Sequence, residues 1–244
     1  MLNVILPCAG EGTRLGLPYP KEMHHVANGM GLIDLSLQRL YPHRDRIARV
    51  TITLTPSKAE LVRYLGKWRG AFPFAFTYFD ERNEEWPGSI LSAEALYMAR
   101  NIVLLPDSLI LEEPHWPVVP TCDRLLGEHD LVFGVKGEQS ERLRSLGAVR
   151  LEADGRVTAF CDKPSEALDR FNGFWGCFGF TGHTGRSILE MMTASVKRSP
   201  VDLASLPLRG VAGFPLFGYH DLGVWAQLAA VVQEGLVPSL PLNS

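Results

Sequence analysis

Four residues near the N-terminus have the types and spacing needed to hold a polyphosphate. Gly10 and Gly12 lie in a loop after the short apolar run Val4–Leu6, and Arg14 and Lys21 follow within nine residues of Gly12. Successive loop N–H groups near glycines form a concave anion site. Arg14 adds a fixed fork of donors matched to phosphate oxygens, and Lys21 a mobile point charge. The chemistry implied is that of a nucleotide. Two familiar nucleotide motifs are missing, however. Gly10, Gly12 and Gly16 read G-x-G-x-x-x-G rather than the dinucleotide spacing, no acidic residue ends the second candidate strand at Thr55 to grip a ribose, and no G-x-x-x-x-G-K-[ST] occurs.

The elements that must position these residues alternate along the first half of the chain. Asn3–Pro7, Ala48–Thr55, Phe74–Phe79, Asn101–Leu105 and Leu131–Val135 read as strands. Helical patterns separate them: one with Leu32, Ile33, Leu35, Leu37 and Leu40 on an apolar face, one over Ser57–Trp68, and one over Ser89–Ala99. Ser57 and Glu60 have the spacing of a capping box. This alternation predicts βαβ units and a mostly parallel sheet with helices on both faces, a Rossmann-like α/β class. In such a sheet ligands sit beyond the carboxyl ends of the strands, where the loop Cys8–Lys21 falls.

The second half reads differently. Ala148–Leu151 and Val157–Cys161 flank Asp154-Gly155, a hairpin signal, and predict a small antiparallel insertion. Phe174–Thr181 is an aromatic-rich strand, and Ser187–Lys197 and Val224–Gln233 are helical, with Trp225, Leu228 and Val232 expected in the core. Glu112–Pro120, with its three prolines, reads as an extended, exposed connection. The whole is expected to be a single domain over 1–244.

Composition narrows the function classes. A net charge of −3 without a basic run argues against a nucleic-acid partner, so phosphate affinity must come from a few placed cations. No stretch reaches the ~18 apolar residues of a membrane span. The opening MLNVILPCAG lacks the basic n-region of a signal peptide. Cys8, Cys122, Cys161 and Cys177 are scattered without zinc spacing and read as buried reduced thiols. A cytoplasmic protein with neither membrane nor nucleic-acid partner is the expectation.

The segment Ala9-Gly10-Glu11-Gly12-Thr13-Arg14-Leu15, followed by Pro20-Lys21-Glu22-Met23, resembles the signature of the sugar-1-phosphate nucleotidylyltransferases, enzymes with a GT-A-like fold. The resemblance continues, in order, at Leu104–Ile110, at Gly147-Ala148-Val149, at Asp162-Lys163-Pro164, at Phe174–Phe180 and at His220-Asp221-Leu222-Gly223, and so spans nearly the whole chain. It implies transfer of a nucleoside monophosphate from a nucleoside triphosphate to a sugar-1-phosphate, with release of pyrophosphate. Arg14 and Lys21 would be the catalytic cations, with Ala9, Gly10, Gly12, Thr13, Asn83 and Gly88 on the nucleotide. Gly147, Asp162, Lys163 and Trp175 would meet the acceptor. Asp107 and Asp221 would bind Mg²⁺.

The chain departs from the pattern in places. Arg14 and Lys21 stand seven residues apart rather than the family's usual ten, a short loop like that of the N-acetylglucosamine-1-phosphate uridylyltransferases and the isoprenoid-pathway cytidylyltransferases. Asn83 stands where the family often has a base-reading Gln, five residues before Gly88; Trp86, in the same loop, is either a base-stacking ring or a cap of the fold. Asp162 replaces the usual Glu. His24 and His25 are expected to pack or face solvent rather than act as a base. Two other functions stay open: a cytidylyltransferase for a non-sugar phosphate or phosphonate, and a non-catalytic nucleotide-sugar-binding regulator. Family members are often dimers or tetramers, which leaves a homo-oligomer open.

Overall fold

Alternation of buried side chains along the first strand sets the layers of this protein. In the strand β1 (Leu2–Pro7), Leu2, Val4 and Leu6 belong to one apolar cluster and Ile5 to another. Both faces of the strand are therefore covered, as a central parallel strand requires. The computed structural model describes residues 1–27, 29–79, 86–196 and 200–237. Further strands in the first half are β2 (His25–Ala27), β3 (Met30–Gly31), β4 (Ile47–Leu54), β5 (Phe74–Tyr78), β6 (Arg100–Leu104) and β7 (Ser108–Leu111), with helices α1 (Leu32–Leu40), α2 (Ala59–Tyr64) and α3 (Trp86–Leu91). Then follow α4 (Val118–Leu125), β8 (Leu131–Gly137), β9 (Gly147–Leu151), β10 (Val157–Asp162), β11 (Gly173–Thr181), α5 (Gly185–Ser195), β12 (Val201–Asp202), β13 (Val211–Pro215), β14 (Gly218–Asp221) and α6 (Trp225–Gln233).

Ten strands form one mixed sheet. Its main path runs β12-β10-β9-β11-β6-β1-β4-β5, with β8 also on β11 and β13 on β8. The run β6-β1-β4-β5 is parallel, as the alternating first half predicted. The aromatic strand β11 is antiparallel to β6, β8 and β9, and the β9–β10 hairpin turns at Gly155, whose φ of 84° suits glycine. One face carries Leu37 and Leu40 of α1, Leu61 of α2, Trp68, and Val118 and Cys122 of α4. The other carries Ile90 of α3 and Ile188, Leu189 and Met192 of α5.

Several local expectations need correction. The Ser57–Glu60 capping box does not form: Pro56–Lys58 is a 3-10 turn, Ser57 Oγ lies 2.8 Å from Thr55 Oγ1, and α2 starts without a side-chain cap. The third helix starts at Trp86, so Gly88 sits inside its first turn, and the chain continues as a 3-10 turn at Glu94–Leu96 rather than as helix to Ala99. The prolines of 112–120 do not keep that segment extended, because Pro120 falls in the first turn of α4, where its missing N–H costs little. On α6 the buried pair is Leu228 and Val231, while Trp225 and Val232 are 49% and 42% exposed. All four cysteines are buried free thiols, as expected.

Candidate functional site

The glycine loop leaves β1 at its carboxyl end. Cys8 N–H still donates to Thr53 O (3.0 Å), which holds the loop's first residue against β4. Ala9 is buried, whereas Gly10 and Thr13 are exposed. Gly12 has a φ of 72°, and a Cβ there would lie 3.0 Å from Lys21 Cδ. Glycine thus suits the left-handed backbone, and any side chain there would press on the lysine stem. Turns at Gly12–Leu15 and Thr13–Gly16 return the chain toward Lys21.

Asp107 and Asp221, far apart in sequence, meet through a two-stranded ribbon. β14 pairs with β7 so that Asp221 lies opposite Ser108, and Leu222 N–H donates to Asp107 O at 2.8 Å. The ribbon rests on a third apolar cluster containing Leu15, Leu109, Leu222, Leu228 and Val231. Leu15 follows Arg14 and Leu222 follows Asp221, so each charged side chain is levered from a buried neighbour. Trp225 adds a tie, its Nε1–H donating to Leu15 O at 3.1 Å.

Four charged groups then converge. Lys21 Nζ is 2.5 Å from Asp107 Oδ2, both largely buried, and Arg14 Nη1 is 2.9 Å from Asp221 Oδ2, both more exposed. Burial pulls the Lys21 ammonium pKa down, but Asp107 outweighs it and leaves the pKa raised. Asp221 does the same for Arg14. The center of the arrangement is Gly223: a Cβ there would lie 2.8 Å from Arg14 Nη2, 2.9 Å from Asp221 Oδ1 and 3.1 Å from Asp107 Oδ2. This glycine was legible as part of the Asp-x-Gly segment, but its steric role was not.

Two carboxylates facing one small cradle suit a hard cation with oxygen ligands. Among the described residues no group of three or more His, Cys, Asp or Glu gathers for a metal. A pair of aspartates without further protein ligands fits Mg²⁺, which keeps waters and takes substrate phosphates as its other ligands.

A second cluster stands at the same end of the sheet. Cys177 of β11 pairs with Leu104, so Trp175 lies beyond the carboxyl end of β6, on the side of Asp107. Gly147 and Asp162 face each other across the β9–β10 ladder. The Trp175 indole packs on Gly147, where any Cβ would collide with Nε1. That N–H is buried and has no hydrogen-bond partner among the described residues. Trp86 lies tilted by 44° with its ring center 5.0 Å from that of Trp175 and donates from Nε1 to Asp162 Oδ2 at 3.0 Å, so this ring is packed into the second cluster. Lys163 has a left-handed backbone (φ 52°) directly before Pro164, and its Nζ is 4.0 Å from Asp162. A bulky residue in that conformation stores strain.

Gly88, in α3, is buried beside Ser89, whose hydroxyl meets that of Thr53 at 2.7 Å. Asn83 lies outside the described residues. His24 packs against Trp225 at 5.1 Å with its Nδ1 3.0 Å from Tyr19 Oη, and burial and His25 lower its pKa. The sequence reading also missed Lys58 and Glu22. Lys58 ends the 3-10 turn before α2, and its side chain is 5% exposed and bonded to a fully buried Glu22.

No protein-family model matches the sequence, and no curated protein matches it. Solved structures do share its architecture. A UDP-glucose pyrophosphorylase complexed with UDP-glucose superposes with a TM-score of 0.71 at 19% identity, over 97% of this chain and 98% of that one. A Bacillus anthracis protein assigned provisionally as a glucose-1-phosphate thymidylyltransferase, in complex with sucrose, gives 0.73 at 13% identity, over 100% and 98%. A UTP-bound UGPase from Acinetobacter baumannii gives 0.68 at 15%, over 96% and 93%. The chain therefore has the α/β fold seen in these proteins, along its whole length.

Proposed function

We propose that this protein is a nucleotidylyltransferase that joins a nucleoside monophosphate, taken from a nucleoside triphosphate, to a sugar-1-phosphate. The observation that carries this reading is the convergence of Arg14, Lys21, Asp107 and Asp221 on the Gly223 cradle, beside a glycine loop at the carboxyl ends of parallel strands. An oxygen of the acceptor phosphate attacks the α-phosphorus, the bond to the β-phosphate oxygen breaks, and pyrophosphate leaves with the electron pair. The acceptor phosphate is already ionised at neutral pH, so no general base is needed, which agrees with His24 being packed rather than poised.

The protein's task is to hold two anions in line and offset their charge. Gly10, Gly12, Thr13 and Arg14 hold the β- and γ-phosphates that depart. Lys21 steadies the α-phosphate. Gly88 and Asn83 meet the nucleoside, and Ala9 backs the loop. Gly147, Asp162, Lys163 and Trp175 receive the acceptor, Lys163 meeting its phosphate. Asp107 and Asp221 would hold Mg²⁺, which would supply charge neutralisation at the phosphates. Among the described residues no helix is long and apolar enough to cross a membrane. Four buried free thiols suit a reducing compartment such as the cytoplasm.

One observation favours a second reading within the class. Asp162, shorter than the family's Glu, already accepts a hydrogen bond from Trp86. A carboxylate so engaged is less available to a sugar hydroxyl, which suits a smaller, non-sugar phosphate acceptor. Both readings are tested by a matrix of UTP, dTTP, CTP, GTP and ATP against sugar-1-phosphates and alcohol phosphates with Mg²⁺, read by pyrophosphate release. Turnover with a sugar-1-phosphate supports the first reading, and turnover with alcohol phosphates alone supports the second. Nucleotide binding without any release would leave a regulator and remove both.

A further inference from the structure

We infer that Lys58, which lies outside the group of residues assigned to substrate, is a positioning residue that sets the direction of the glycine loop's N–H groups. Its ammonium has three hydrogen-bond donors and three acceptors: Gly10 O at 2.5 Å, Glu22 Oε1 at 2.8 Å and Glu22 Oε2 at 2.9 Å. Lys58 closes the 3-10 turn after β4, so it is fixed to the sheet, while Gly10 and Glu22 stand near the two ends of the loop. Glu22 follows Lys21 in the short turn Lys21–Met23. One buried side chain therefore clamps both ends of the segment that carries Arg14 and Lys21.

The consequence follows from peptide geometry. A trans peptide is planar, with its C=O and N–H pointing in opposite directions. Holding the Gly10 carbonyl inward on Lys58 turns the Glu11 N–H outward, to the side from which an anion approaches. Stability alone does not account for the pair, because a buried ion pair can often be replaced by apolar residues of similar volume at no loss. What an apolar replacement cannot supply is a donor for the Gly10 carbonyl.

The inference rests on the reading of the loop as a triphosphate site, and its test separates the two. Lys58→Met with Glu22→Leu removes both charges together and fills the space; Lys58→Met with Glu22→Met is a second packing solution. Melting temperature, binding of inorganic tripolyphosphate by calorimetry, and the KM values for nucleotide and acceptor are measured on each. The expected result is a folded double variant that binds tripolyphosphate at least about tenfold more weakly, since small misplacements of binding groups are costly. Its nucleotide KM should rise in step, with acceptor KM unchanged. A folded variant that binds tripolyphosphate like wild type, or equal rises in both KM values, overturns the inference and leaves the function standing. Failure of both double variants to fold assigns the pair a structural role and also overturns it. Wild-type protein that binds neither tripolyphosphate nor any nucleotide removes the functional reading itself.

Discussion

The nucleotide side and the acceptor side of the proposed cleft share one end of the sheet but are built differently. On the nucleotide side the parallel strands β1 and β6 end in loops, and the groups are held by clamps: a buried lysine on the loop backbone, two cation–carboxylate pairs, and an apolar cluster beneath Leu15 and Leu222. On the acceptor side the antiparallel strands β9, β10 and β11 carry Gly147, Asp162 and Trp175 directly, and the proposed phosphate-binding cation Lys163 sits on a left-handed backbone. The first region spends its structure on aiming backbone and charge. The second uses packed rings and a strained lysine, so its residues should tolerate change with graded rather than total losses.

The sharpest way to break this contrast is to remove charge on the nucleotide side. Asp107→Ala and Arg14→Ala should each lower kcat by about 100-fold or more while the protein stays folded, the usual cost of losing a charge-stabilising group. Steady-state kinetics beside circular dichroism checks this. Wild-type rates in either variant would mean that the converging pairs are not the reacting center.

Gly223→Ala comes next. Its methyl group would press on Arg14, Asp221 and Asp107 within 3.1 Å, so those side chains must shift. A displacement on the order of 1 Å can cost about 100-fold, and we expect a loss between that and tenfold. The comparison variant Gly147→Ala would also force Trp175 to move, but should raise acceptor KM and leave nucleotide affinity alone.

Gly10 and Gly12 sharpen the nucleotide side further. A Cβ at Gly10 meets nothing within 4 Å, so Gly10→Ala should fold normally and weaken nucleotide binding by crowding the approach of the phosphates. Gly12→Ala would add a side chain at a φ of 72°, which costs roughly 1–2 kcal/mol. Thermal melts should separate the two: near wild type for the first, lowered for the second.

The smallest effect is expected at Lys163. Lys163→Gly relieves its left-handed backbone and should raise stability by about 0.5–1 kcal/mol, while raising acceptor KM. A destabilised variant would show that the backbone conformation carries no strain.

Much of this architecture could be read from residue pattern, and the missing parts have physical reasons. The parallel run was legible because strand and helix periods alternate, and the hairpin because Asp154-Gly155 turns it. The β7–β14 ribbon was not, because Ser108–Leu111 and Gly218–Asp221 are short and pair across more than a hundred residues. Asp107 and Asp221 were found by resemblance, yet nothing local shows that they meet at Gly223. Lys58 was invisible for a related reason: a lysine after a proline and serine reads as solvent-facing, and its burial depends on Glu22 arriving from another loop.

Labelled oxygen gives the most direct test of nucleotidyl transfer. The accepted sugar-1-phosphate, prepared with ¹⁸O in its nonbridging phosphate oxygens, is turned over with an unlabelled triphosphate, and the products are read by mass spectrometry. The account predicts that all the label appears in the nucleotide sugar, one labelled oxygen now bridging the two phosphates, and none in pyrophosphate. Label in the pyrophosphate, or a product lacking the nucleoside monophosphate, would contradict attack at the α-phosphorus.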